Sequence, residues 1–119
     1  MYPVEHIPDE DRLFRRILSE YWKNNNVEPG AFSLDHDGIS CDWEKYSTPQ
    51  QSVDRGRQNT KRPFAGVVSF ICGALRIESF AVNHTPSKKN RAHSSVSAEN
   101  DEENRIKLSR LHGGWVLKL

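Results

Sequence analysis

The chain has 119 residues, with 17 Lys plus Arg against 16 Asp plus Glu and two cysteines. Aliphatic, aromatic and Cys residues make up 35% of it and charged residues 28%, which fits one small domain spanning 1–119 and leaves no room for a second. No apolar run approaches the length of about 20 residues that a bilayer demands, so no membrane partner is expected.

The acidic opening MYPVEHIPDE does not read as a secretory leader, and Cys41 and Cys72 do not make a disulfide framework, so a cytoplasmic location is expected. The near-zero net charge conceals a division. Residues 1–50 carry five basic and ten acidic side chains, residues 51–93 carry eight and two, and residues 94–119 carry four of each. The basic middle comprises Arg55, Arg57, Lys61, Arg62, Arg76, Lys88, Lys89 and Arg91. Such a segment suits phosphate groups or an acidic protein partner, and makes nucleic acid a candidate ligand.

Apolar residues at Leu13, Phe14, Ile17, Leu18, Tyr21 and Trp22 cover one half of a helical wheel, and Pro8 with Asp9, Glu10 and Asp11 suits its start. The spacing therefore predicts a helix over 9–23, stopped by Asn24, Asn25 and Asn26. Pro29-Gly30 and Asp37-Gly38 mark turns, and Ile39–Trp43 alternates as a short strand. Ser47-Thr48-Pro49 caps a short helix to Asp54, and the segment Arg55–Pro63, which has no apolar residue, is expected to be a mobile loop. Phe64–Val82 holds the core, either as strands with a turn at Gly73 or as a buried helix over 66–76. Residues 79–83 and 92–96 look extended. A C-terminal helix over 101–112 follows, with Asn100 as its N-cap and Gly113 at its C′ position, before a terminal strand from Trp115. The fold class is α+β: one small domain, a short mixed or antiparallel sheet covered by two or three helices.

No motif completes a metal or cofactor site. Asp35-His36-Asp37-Gly38 begins like a calcium loop, but Tyr46 stands where the bidentate carboxylate belongs, so it reads as a polar turn. The two cysteines lack zinc-ligand spacing and read as buried thiols. The segment from Asn83 to Ser94 is more informative. His84 and His93 flank a basic turn; on adjacent strands the imidazoles could face one another as general acid and base, with Arg91 or Lys88 holding an anionic oxygen between them and Lys89 a further phosphate-binding candidate. The plainer alternative has both rings bracing the loop through backbone hydrogen bonds.

Leu13-Phe14-Arg15-Arg16-Ile17, Ala31-Phe32, Gly38-Ile39-Ser40-Cys41-Asp42, His84-x-Pro86 and Asn90-Arg91-Ala92-His93-Ser94-Ser95-Val96 together resemble a group of small uncharacterised bacterial proteins. Their pattern is Arg-Arg-Ile, Ala-Phe, Gly-Leu-Ser-Val, then His-Pro and Ala-His. The resemblance spans roughly residues 11–116 and implies no known reaction, but it nominates Arg15, Arg16, Ser40 and His93 as site positions. Members often carry proline soon after Arg-Arg-Ile, which implies an extended segment there; this chain has Leu18-Ser19-Glu20 instead.

Two functions are expected to compete. One is an accessory or binding protein of a bacterial cytoplasmic system, of a defence type, acting through a protein partner or a phosphate-bearing ligand. The other is a small metal-independent nuclease or nucleotide-handling enzyme that uses His84 and His93.

Overall fold

The computed structural model describes residues 1–35 and 37–119. Its centre is a six-stranded antiparallel sheet. The elements run β1 (Arg12–Leu18), the short hairpin β2 (Trp22–Lys23) and β3 (Asn26–Val27), β4 (Ile39–Trp43), α1 (Pro49–Asn59) and β5 (Phe64–Ile71). They continue with α2 (Cys72–Ile77), β6 (Ala81–His84), β7 (His93–Ser97), α3 (Glu102–Leu111) and β8 (Trp115–Lys118). The sheet order is β6-β7-β4-β1-β5-β8. This is the expected α+β domain, with three helices on an antiparallel sheet. Among the described residues no helix is long and apolar enough to cross a membrane.

The helix expected over 9–23 is instead the central strand β1. Its two faces read Leu13-Arg15-Ile17 and Phe14-Arg16-Leu18, each an apolar pair around one arginine. Interleaved, they place apolar residues at 13, 14, 17 and 18, a spacing that a helix shares. A strand covered on both sides hides its period of two, because neither face is polar throughout. The asparagines end no helix. Asn24 and Asn25, at φ 52° and 60°, form the two-residue connection of the β2–β3 hairpin, a conformation asparagine tolerates better than most residues.

One side of the sheet carries the main core, in which Ile7, Leu13, Ile17, Phe32, Phe70, Leu75 and Leu108 are buried. There α3 packs on the turn Pro29–Phe32, and α2 packs on β5 and β6. On the other side α1 covers Phe14 and Val67 with Val53. Thr48 caps α1: its Oγ1 accepts from the Gln51 amide at 3.1 Å while Gln51 Oε1 accepts from the Thr48 amide at 2.9 Å. The helix runs on to Asn59, so Arg55–Asn59 is not a loop. Ser52, Val53 and Gly56 are buried on the sheet side; Asp54 and Arg57 are exposed, while Arg55 turns toward Asp42.

Neither alternative for the core segment holds throughout. Phe64–Ile71 is strand and Cys72–Ile77 is helix, with Gly73 meeting the N-terminal segment through its amide and Asp9 O at 2.8 Å. The strands Ile39–Trp43, Ala81–His84, His93–Ser97 and Trp115–Lys118 lie close to where the sequence places them. At the polar turn before β4, Gly38 donates to Asp35 O at 3.0 Å; His36 lies outside the described residues.

The C-terminal helix is capped by Asp101, not Asn100. Asp101 Oδ1 accepts from the Asn104 amide at 2.8 Å, whereas Asn100 Oδ1 accepts from the Leu34 amide at 3.0 Å and from Arg105 at 2.9 Å. Gly114, at φ +91°, takes the left-handed position expected at Gly113. Asp101→Ala should lower the unfolding free energy by about 1 kcal/mol through loss of the cap. Urea denaturation checks this; a midpoint equal to wild type would remove Asp101 from the cap.

Candidate functional site

The cleft arises where two strands part. Strands β1 and β4 pair only at Leu13↔Trp43 and Phe14↔Asp42, although β1 continues to Leu18 and β4 begins at Ile39. On the main-core side Arg15 bridges the gap, donating to Ser40 O at 2.9 Å and to Ala31 O at 2.9 Å. A backbone carbonyl without a strand partner is thereby satisfied. On the opposite side Arg16 passes beneath α1. A Cβ at Gly56 would lie 2.7 Å from Arg16 Cδ, so glycine opens the path for that side chain.

Asp42 ties the surroundings together. Its carboxylate accepts from Ser52 Oγ at 2.5 Å and Asn90 Nδ2 at 2.8 Å, lies 3.0 Å from Arg55 Nη2, and has Arg16 Nη1 at 3.6 Å. One buried acid therefore joins β4, α1, β1 and the β6–β7 loop. Burial pushes its carboxyl up, but the bonds from Ser52 and Asn90 and the Arg55 charge outweigh that and hold it below the usual aspartate range.

Above this floor lies a cavity of about 580 Å³ lined by Arg16, Ser40, Arg55, Gln58, Asn59, Ser87, Lys89, Asn90 and His93. Every lining side chain is polar, and none is Phe, Tyr, Trp or a carboxylate. A smaller groove of about 200 Å³ adjoins it, sharing Arg16 and Asn59 and running to Arg15 and Arg62. His93 and Ser40 sit on paired strands, in the register Asp42↔His93 and Ser40↔Ser95. His93 Nδ1 is 3.0 Å from Thr85 O, an acceptor only, so Nδ1 carries the proton. Nε2 is then the acceptor for Ser40 Oγ at 3.2 Å. Thr85 Oγ1, 2.9 Å from Nδ1, shares the same N–H.

The sequence-nominated residues thus divide. Arg16, Ser40, Lys89 and His93 line one cleft. His84 does not join them: opposite Ser94 in register, it turns to the other side of the sheet. There its Nδ1 accepts from the Glu5 amide at 3.0 Å and its Nε2 donates to Arg91 O at 2.7 Å, between Trp43 and Tyr46. Both nitrogens are spent on backbone, and the ring braces the N-terminal arm. Arg91 stacks 4.1 Å above Tyr46 and also lies away from the cleft. Lys88 is exposed and does not line it, and Arg15 borders only the adjoining groove, its guanidinium being committed to Ser40 O and Ala31 O.

Arg55, Asp42, Asn90, Gln58 and Asn59 were not nominated as site residues from the sequence. The legible signal was Asp42, an acid between Cys41 and Trp43 in a strand that had to be buried. Such an acid needs a cation, and α1, the next helix along the chain, carries Arg55 and Arg57. Among the described residues no three His, Cys, Asp or Glu side chains converge as a metal ion would require. Cys41 and Cys72 are buried, free thiols, each pushed up to about 12 by desolvation and so held neutral. Compared with protein-family models, curated proteins and solved structures, the chain matches none.

Proposed function

We propose that this protein binds a phosphate-bearing ligand in the cleft between α1 and the β6–β7 loop. The observation that carries this reading is the convergence of Arg16, Arg55 and Lys89 on a polar cavity whose one nearby carboxylate, Asp42, is buried beneath it. Three cations against one carboxylate leave two positive charges, matched to a phosphate dianion. Asn59, Gln58, Ser87 and Asn90 add neutral donors around the rim. Arg16 and Arg55 are already held from behind by Asp42, so little ordering is lost when an anion arrives. A cleaving pair built from His84 and His93 has less support, because His84 is committed to backbone on the other side of the sheet.

The test is titration with inorganic pyrophosphate, followed by calorimetry and by amide shifts in heteronuclear NMR. Binding should perturb Ser40, Lys89 and His93 and weaken with salt. Lys89→Ala should weaken affinity about tenfold or more, as expected for losing a charge-assisted contact to phosphate, while the melting temperature holds. Absence of shifts at these residues at low salt would remove the reading.

A further inference from the structure

We propose that Ser40 is a nucleophile activated by His93, and that the cleft transfers the phosphoryl group of a phosphate monoester to it. This rests on the anion-binding reading above and goes beyond it by assigning a reaction. The evidence is the hydrogen-bond chain Thr85 O ← His93 Nδ1–H and His93 Nε2 ← Ser40 Oγ–H, at 3.0 and 3.2 Å. The carbonyl fixes the tautomer, the tautomer leaves Nε2 free to accept, and the acceptor faces a serine hydroxyl. Those are the parts that nucleophilic catalysis at serine requires: a nucleophile, a base within hydrogen-bond reach, and a group that orients the base. His93 is positioned doubly, by its place on β7 and by the carbonyl on the adjoining loop.

The surroundings complete the chemistry. Ser40 is exposed at the cleft floor, on the side where Arg16, Arg55 and Lys89 would neutralise the oxygens of a transferring phosphoryl group. The two net positive charges select a monoester dianion over a diester. The polar lining, without Phe, Tyr or Trp, favours a hydroxylated leaving group such as a sugar.

In the first step Ser40 Oγ bonds to phosphorus as the ester P–O bond breaks. The Oγ proton passes to His93 Nε2 and from there to the departing alcohol oxygen. In the second step water attacks phosphorus and its proton goes to His93. The Oγ–P bond breaks, and Ser40 recovers a proton from His93. The net change is ester plus water to alcohol plus inorganic phosphate, with no other reactant.

The experiment uses p-nitrophenyl phosphate with the full chain. Wild type should release p-nitrophenol and, on acid quench, carry a mass increment of one phosphoryl group on the peptide containing Ser40. Ser40→Ala and His93→Gln should each reduce release by about a hundredfold or more, in the range that general acid–base residues contribute. Because Ser40 is exposed, Ser40→Ala should melt with wild type, so that a loss of release reports on chemistry and not on folding. Pyrophosphate binding without turnover or a Ser40 adduct would overturn the nucleophile while leaving the binding reading intact. Failure of wild type to bind pyrophosphate would overturn both. Turnover that survives in Ser40→Ala would overturn the role of Ser40.

Discussion

Asp42→Asn should lower the unfolding free energy by about 3–5 kcal/mol, the cost of removing one member of a buried ion pair and stranding its partners. The carboxylate is 5% exposed, Arg55 and Arg16 approach it, and Ser52 and Asn90 donate to it. An amide keeps the shape but offers one acceptor where the network uses two, and presents an N–H₂ to donors. The loss should be felt in all four elements the acid joins, so urea denaturation should shift as one transition with the slope retained. The wild-type carboxyl titrates below the ordinary aspartate value of about 3.9. Its stabilisation is therefore complete above that value and is lost as pH falls through the folded value below it. Wild type and Asp42→Asn should differ fully at pH 7 and approach one another in strong acid. Equal stabilities at pH 7 would mean that the network organises the cleft without stabilising the fold.

The second large effect is expected at Gly38, immediately before β4. Its φ of +79° disfavours any L side chain, and a Cβ there would lie 2.2 Å from Val96 O and 2.8 Å from Val96 C. Those atoms are backbone of β7, so no side chain can swing away. Gly38→Ala should cost about 2–5 kcal/mol, combining left-handed strain with overpacking, and lower the melting temperature on the order of 10 °C or more. Gly113→Ala is the control. Its added Cβ would meet nothing closer than 3.6 Å, and it should melt close to wild type. The clash also falls where β4 pairs with β7, the strands that carry Ser40 and His93. Thermal unfolding by circular dichroism distinguishes the two glycines. A Gly38→Ala protein as stable as wild type would mean that the β4–β7 edge yields freely.

Local chemistry made several elements legible. Thr48-Pro49 with Gln51 announces a helix start, because cap and proline act within four residues. Alternation in Ile39–Trp43 announces a strand, although Asp42 on the α1 side proved as buried as its apolar neighbours. The charged first turn of α3 marks its start to within one residue, yet not its cap. Asn100 and Asp101 are equally good cap residues, and Asn100 is drawn off by the Leu34 amide, a contact 66 positions away. The largest departure, β1, has the same kind of cause. An apolar–Arg–apolar pattern on each face is indistinguishable from a helix until both sides of the strand are known to be covered.

The candidate site shows the same division. His93, Ser40, Arg16 and Lys89 are chemically conspicuous in the chain, and their residue types alone point toward an anion. Which histidine reaches the cleft is decided by strand parity: His84 and His93 fall on opposite faces because His84 stands opposite Ser94, one residue beyond His93. By itself, then, the sequence determined the α+β class, the polar and basic character of the middle segment, and the helix and strand starts that depend on neighbouring residues. Tertiary structure alone decided that β1 is a strand, that β1 and β4 part to open a cleft, and that Asp42 gathers two arginines beneath it. Those outcomes depend on pairing between residues 25 to 59 positions apart, where neither periodicity nor capping carries information.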